Sequence, residues 1–151
     1  MYTCLKSNCV EKAGFCFRAI EKQAMEPIRL WRNAQIDVLR QKAPLTKEAQ
    51  VRYFDDVILP SFSQDYPAQI LWTITKGNSL IGYGALVHID WNGGQKEGSA
   101  EISFLLDSTI HEKSAAFEEA FLAFHAFVQK VAFEELQFRK LRAEVYSFRH
   151  R

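Results

Sequence analysis

AEISFLLDSTIHEKSAAFEEAF, residues Ala100–Phe121, decides how the chain reads. Along Ala100–Leu106 the side chains alternate: Ala100, Ile102, Phe104 and Leu106 share one face, and Glu101, Ser103 and Leu105 share the other, as on a strand. A polar loop without glycine follows. From Phe117 to Leu136, the apolar residues Phe117, Phe121, Phe124, Val128 and Val131 recur at helical spacing. Lys140–Tyr146, KLRAEVY, then alternates again. A strand, a helix and a strand make a crossover, so the last two strands are expected to be parallel and joined right-handedly.

Upstream lies QILWTITKGNSLIGYGALVHI, two β-branched, aromatic-rich runs flanking Lys76-Gly77-Asn78-Ser79. Gly and Asn in that turn supply positive φ, so the spacing predicts a hairpin. Gly82 and Gly84 fall two apart and leave one face of the second strand bare, which predicts a bulge or a close approach. DWNGGQKEG is a longer turn, and Ser99–Leu106 becomes the third strand of a meander. Further back, Thr46 is an N-cap and Glu48 sits where the helix dipole favours a negative charge. Tyr53, Phe54, Val57 and Ile58 stripe that helix until Pro60 ends it. An earlier helix carries Pro27 in its first turn and faces Ile28, Trp31 and Ile36 inward. Phe15–Ile20 reads as a short strand. The order β-α-α-β-β-β-α-β makes an α+β fold with a mixed, mostly antiparallel sheet and a parallel last pair.

The length, 151 residues, suits one domain over 1–151, with residues 1–14 a loose N-terminal segment. A net charge of +1 suggests neither a nucleic-acid nor a membrane surface. The apolar runs are too short to span a bilayer, and the first residues lack a secretory signal's apolar centre. The expected location is cytoplasmic. Twelve Phe predict a core built on aromatic rings. Cys4, Cys9 and Cys16 are odd in number, which argues against a disulfide framework. Their spacing does not suit zinc, so no metal is expected and they read as unremarkable thiols.

Four phrases in this order carry a resemblance: IRLWRN (Ile28–Asn33), LIGYGALVHIDW (Leu80–Trp91), AEISFLL (Ala100–Leu106) and LRAEVY (Leu141–Tyr146). Together they resemble the GNAT N-acetyltransferases over residues 15–149, above all the branch of ribosomal-protein alanine N-acetyltransferases. Some amino-sugar acetyltransferases are also similar, in LRQ…LT (Leu39–Thr46) and GYGALVHIDW. The resemblance implies that the Ala100–Leu106 strand and the returning strand splay apart past Phe104. Backbone groups near Leu105 and Leu106 would then hold the pantetheine arm of acetyl-CoA as an added strand is held. The pyrophosphate would rest on the following loop and helix N-terminus.

The loop departs from that pattern. Relatives carry Arg or Gln and closely spaced glycines there; DSTIHEKSAAF has none. Thr109 and Glu112 have capping-box spacing, and a Glu in the first turn repels phosphate. His111 and Lys113 offset part of this, and Ser114 offers a later N-cap that leaves room for an anion. Glu101 is the expected base for the acceptor amine; the alternative is a carboxylate facing solvent or paired with Arg142. His88 and Asp90 are candidates for substrate contact or a shared base role, against a plain structural histidine. Asn33 and Arg32 would line the acceptor side, or simply cap the surface; Tyr83 and Trp91 read as packing.

Relatives also continue past this chain's end with a helix, often bearing a Tyr acid, and a hairpin. Arg149 stands about where they carry an Asn. The Leu141–Tyr146 strand is therefore expected to have an open edge and to favour a homo-oligomer. The implied activity is acetyl-CoA-dependent N-acetylation of a primary amine by direct attack on the thioester. The acceptor is an amino-sugar nucleotide or a protein N-terminal amine. The alternative is a non-catalytic, C-terminally truncated binding module.

Overall fold

The computed structural model describes residues 1–35 and 43–143. The expectations placed on Ile36, on Leu39–Gln41 and on residues 144–149 lie outside them. A six-stranded sheet has the order β1-β2-β3-β4-β5-β6, with β1 Cys9–Lys12, β2 Phe15–Ala19, β3 Ile70–Lys76, β4 Ser79–Asp90, β5 Ser99–Leu106 and β6 Lys140–Ala143. Neighbours pair antiparallel up to β5, and β5 pairs with β6 parallel, Ser99–Ile102 against Lys140–Ala143. Helices α1 Met25–Ala34, α2 Lys47–Tyr53 and α3 Leu59–Ser61 precede β3, and α4 Ala115–Lys130 joins β5 to β6. This is the expected mixed α+β arrangement, with one strand added at the front. No helix among the described residues is long and apolar enough to cross a membrane.

The added strand corrects the reading of residues 1–14 as loose. Ala13 and Gly14, at φ 55° and 85°, turn β1 back onto β2. Before β1, Tyr2 is 1% exposed. Its hydroxyl accepts from the Leu71 N–H at 2.9 Å, and its N–H donates to Asn8 Oδ1 at 2.7 Å. A buried aromatic ring with its hydroxyl satisfied anchors the segment, a signal that periodicity does not carry.

The β3–β4 hairpin falls where expected, although of the two turn residues only Gly77 takes positive φ, at 62°. That is the Gly-X pattern of a type II′ turn. The strand pairing skips a residue between Gly82 and Leu80, so Ile81 is bulged out. A Cβ at Gly84 would lie 2.2 Å from Phe124 Cζ. Both outcomes predicted from Gly82 and Gly84 therefore occur, and the bare position lets α4 sit directly on β4.

Thr46 caps α2, its Oγ1 accepting from Ala49 N–H at 3.1 Å. A π turn over Phe54–Ile58 follows, and Leu59 N–H reaches back to Phe54 O. Pro60 therefore falls inside the continuing helix rather than ending it at once. The wider turn also changes the stripe: Phe54 and Ile58 are buried, whereas Tyr53 and Val57 are exposed. A second π turn, Val131–Glu135, ends α4, and Arg139 N–H bonds Gly98 O at 2.8 Å to launch β6 beside β5.

Two cores result. One face of the sheet packs Phe17, Trp72, Leu86 and Ile102 against Phe124, Phe127 and Val128 of α4. The other packs Leu71, Tyr83, Ala85 and Leu105 against Met25, Ile28, Trp31, Phe54 and Ile58. Gly84→Ala is expected to lower stability by about 2 kcal/mol by overpacking Phe124. The measurement is a lower urea midpoint at unchanged m, and wild-type stability would contradict the close approach.

Candidate functional site

Strand β5 forms part of two cavities, one on each face of the sheet. Ile102 and Phe104 line a cavity of about 340 Å³ together with Ala143 of β6 and Phe117, Phe121 and His125 of α4. Phe104 meets Phe117 and Phe121 edge-on, at 5.7 and 5.5 Å between centroids, and the Phe121 and His125 rings lie 4.0 Å apart. Glu112, Lys113, Ser114 and Glu118 supply its polar lining. His125 Nδ1 lies 2.9 Å from Phe121 O. Burial holds the imidazole pKa below its ordinary value, so the ring is neutral at neutral pH.

Ser103, the residue between, lines a second cavity of about 340 Å³ with Tyr83, Ala85 and Val87 of β4 beneath α1 and α2. Arg32 Nη1 donates to Tyr83 Oη at 2.7 Å, and Gln69 Nε2 donates to Tyr53 Oη. Gln50, also in its lining, is buried. Arg32 is the one charged side chain among the described residues that line this cavity.

Of the candidate catalytic, cofactor and substrate residues, Lys113 and Ser114 line the first cavity, and Glu101, Leu105, Leu106 and His111 line neither. Glu101 is half-buried on the same face as Ser103, opposite Val87 and in register with Arg142. No ion pair involves it among the described residues. Leu105 is opposite Tyr83. Its carbonyl would lie 2.5 Å from a Cβ on Gly82, so it faces β4. Alternation along an antiparallel strand then turns the main-chain groups of Phe104 and Leu106 to the other edge. Leu106 O accepts from Gln35 Nε2 at 3.1 Å. The β5–β6 register stops at Ile102 among the described residues, and the expected parting of the strands past Phe104 falls on residues outside them.

In the loop, the expected Thr109–Glu112 capping box does not form. Thr109 N–H and Oγ1 both donate to Asp107 Oδ1 at 3.0 Å, an Asx turn that uses the hydroxyl elsewhere. Ser114 is the N-cap, its Oγ accepting from Phe117 N–H at 3.2 Å. His111 is exposed, and its Nδ1 accepts from Lys113 N–H at 3.1 Å.

Asn33 clamps the chain across α1 and α2: Leu45 N–H donates to its Oδ1 at 2.7 Å and its Nδ2 donates to Leu45 O at 3.0 Å. His88, exposed at φ 49°, sits where the β4–β5 register shifts between Val87 and Asp90. Asp90 Oδ1 accepts from Asn92 N–H at 2.9 Å. None of Asn33, His88 and Asp90 lines either cavity.

The reading by residue pattern missed Arg32–Tyr83 as a pair, Gln50 and the aromatic wall with His125. Two of these carry a local signal. Gln50 stands four residues before Phe54 and His125 four after Phe121, so each puts a polar group on an apolar helical row. Among the described residues no group of three or more His, Cys, Asp or Glu is placed to hold a metal ion.

No curated protein sequence matches the chain. Solved structures share its fold. A spermidine N-acetyltransferase chimera from Vibrio cholerae and hSSAT superposes with TM-score 0.66 at 14% identity, over 87% of this chain and 70% of its own. A nucleotide-linked sugar GNAT gives 0.62 at 17%, over 91% and 70%. A ribosomal-protein alpha-N-acetyltransferase in complex with coenzyme A gives 0.60 at 13%, over 84% and 70%. At these identities the likeness shows the fold alone. The sequence itself supplies the rest: residues 17–151 match the family described as Acetyltransferase (GNAT) domain, and the chain belongs to that family.

Proposed function

We propose that the protein is an acetyl-CoA-dependent N-acetyltransferase acting on a primary amine. The observation that carries this reading is that consecutive residues of one strand, Ser103 and Phe104, line opposite cavities. A cofactor on the α4 side and an acceptor on the α1–α2 side would meet at the edge of β5. Acetyl-CoA would supply an acetyl group already activated as a thioester. The residues that fit it are the main-chain groups of Phe104 and Leu106, the aromatic wall of Phe117 and Phe121, and the N-terminus of α4. Ser114 takes only the Phe117 N–H, leaving those of Ala115 and Ala116 for an anion beside Lys113. Glu112 and Glu118 border the same cavity and weaken its hold on phosphate.

Glu101 is the proposed base, taking the proton of the acceptor ammonium at its carboxylate on the Ser103 face. Arg32 sets the acceptor class. A lining with one guanidinium and no described carboxylate suits an amine that also carries an anion, and it disfavours a polycation. This favours an amino-sugar nucleotide over a protein N-terminal amine. Self-association along the outer edge of β6 and a cytoplasmic location belong to the same proposal; three free thiols fit that compartment. The second reading, a non-catalytic binding module, is favoured by Glu112 and Glu118 at the phosphate end.

Isothermal titration with acetyl-CoA is expected to give micromolar affinity, and absence of binding would leave the second reading. Glu101→Gln is expected to lower kcat by about a hundredfold with acetyl-CoA affinity unchanged; unaltered turnover removes Glu101 from the mechanism. Arg32→Gln is expected to raise KM for a nucleotide-linked amino sugar by about tenfold while sparing a neutral amine. An equal loss for both would show that Arg32 serves only Tyr83.

A further inference from the structure

Two of the three thiols meet. In the β1–β2 register Cys9 is opposite Arg18 and Cys16 is opposite Glu11, so Cys9 and Cys16 are diagonal neighbours on one face. Val10 and Phe17, which alternate with them, turn instead to the α4 core. The two Sγ atoms are 3.4 Å apart, and Arg18 Nη2 lies 3.8 Å from Cys9 Sγ. Cys9 is exposed and Cys16 partly so. Cys4 differs: burial pushes its thiol up to about 11, which keeps it protonated at neutral pH.

We propose that Cys9 and Cys16 are an oxidation-sensitive dithiol that closes to a disulfide across the β1–β2 hairpin on meeting a small-molecule disulfide. The geometry divides the roles. Cys9 is the more exposed of the two sulfurs and the one the Arg18 guanidinium approaches, so it meets the reagent first, with the Cys16 sulfur in contact behind it. Burial and the neighbouring sulfur push the Cys16 thiol up, in keeping with a group that stays protonated until the second step.

Cys9 S⁻ attacks one sulfur of R–S–S–R, forms the mixed disulfide and expels RS⁻. The Cys16 thiol loses its proton to that thiolate, and its sulfur attacks the Cys9 sulfur and expels the second RS⁻. Two electrons pass from the chain to the reagent; the Cys16 proton finishes on the first RSH, and the second RS⁻ takes back from solvent the proton that Cys9 released on forming its thiolate. The sulfurs must close to the roughly 2.05 Å of a disulfide. Strand β1 has four residues and lies at the sheet's edge, paired on one side only, so the closure displaces no further strand. The bond would be exposed and within reach of a reducing thiol. It would also fasten the docked N-terminus, because Asn8, next to Cys9, holds Tyr2 through its side chain and the Ala19 N–H through its carbonyl.

The test treats the full chain with excess oxidised glutathione, quenches with acid, alkylates under denaturing conditions and maps peptides by mass spectrometry. A Cys9–Cys16 link with Cys4 alkylated is expected, together with amide exchange over residues 8–19 slowed by about tenfold. Cys16→Ser is expected to stop with one glutathione on Cys9. Cys9→Ser is expected to react at Cys16 about tenfold more slowly. Three free thiols, first reaction at Cys4, or a glutathione adduct that persists on Cys9 in the unaltered chain would each overturn the proposal.

Discussion

The register of β5 on β4 is the constraint from which the site follows. Tyr83, Ala85 and Val87 stand opposite Leu105, Ser103 and Glu101, and that row faces α1 and α2. The alternate row, Ile102, Phe104 and Leu106, faces α4. A slip of one residue would exchange the two rows, putting Glu101 under an aromatic helix and Phe104 among polar groups. The register is protected on both sides. Gly84 admits the Phe124 ring on one face, and Leu105, 2% exposed, fills the other.

The aromatic core, rather than charge, holds these walls in place. The ion pairs between described residues, such as Arg18–Glu21 and Lys22–Asp55, involve mainly exposed side chains. Pairs of that kind are worth about 0–1 kcal/mol each. A fully buried Phe17 or Phe124 contributes about 1.5–3 kcal/mol through burial alone. Those rings also touch one another, Phe17 with Phe124 at 5.7 Å and with Phe127 at 4.6 Å between centroids. The polar side chains of the second cavity are thus set on a frame whose stability does not depend on them.

The two cavities differ in electrostatic character. His125 adds no positive charge to the α4 side at neutral pH, so Lys113 there faces Glu112 and Glu118 without its help. On the other side Arg32 donates to a phenol, and among the described residues no carboxylate pairs with it, a setting that suits an anion. In the proposed division of labour, the phosphate end of the cofactor is gripped weakly and the acceptor end is selective.

Much of the scaffold was legible because it rests on local rules. Alternation identified β5 and its two faces, the Gly77 turn identified the β3–β4 hairpin, and Thr46 marked the start of α2. The glycines at 82 and 84 announced a contact without naming Phe124. The first fourteen residues were misread because Tyr2 gains its value only from Leu71, 69 residues away. The capping box failed because Asp107 competes for Thr109 at shorter range.

By itself, the sequence determined which residues face each side of the sheet, because side-chain direction along a strand or helix follows from backbone geometry over a few positions. Tertiary structure alone decided which polar groups meet. Arg32 finds Tyr83 across 51 residues and Gln35 finds Leu106 across 71. Cys9 reaches Cys16 only through the diagonal of a strand pair. Such contacts depend on how separate elements dock, and docking is fixed by the packing of the whole core.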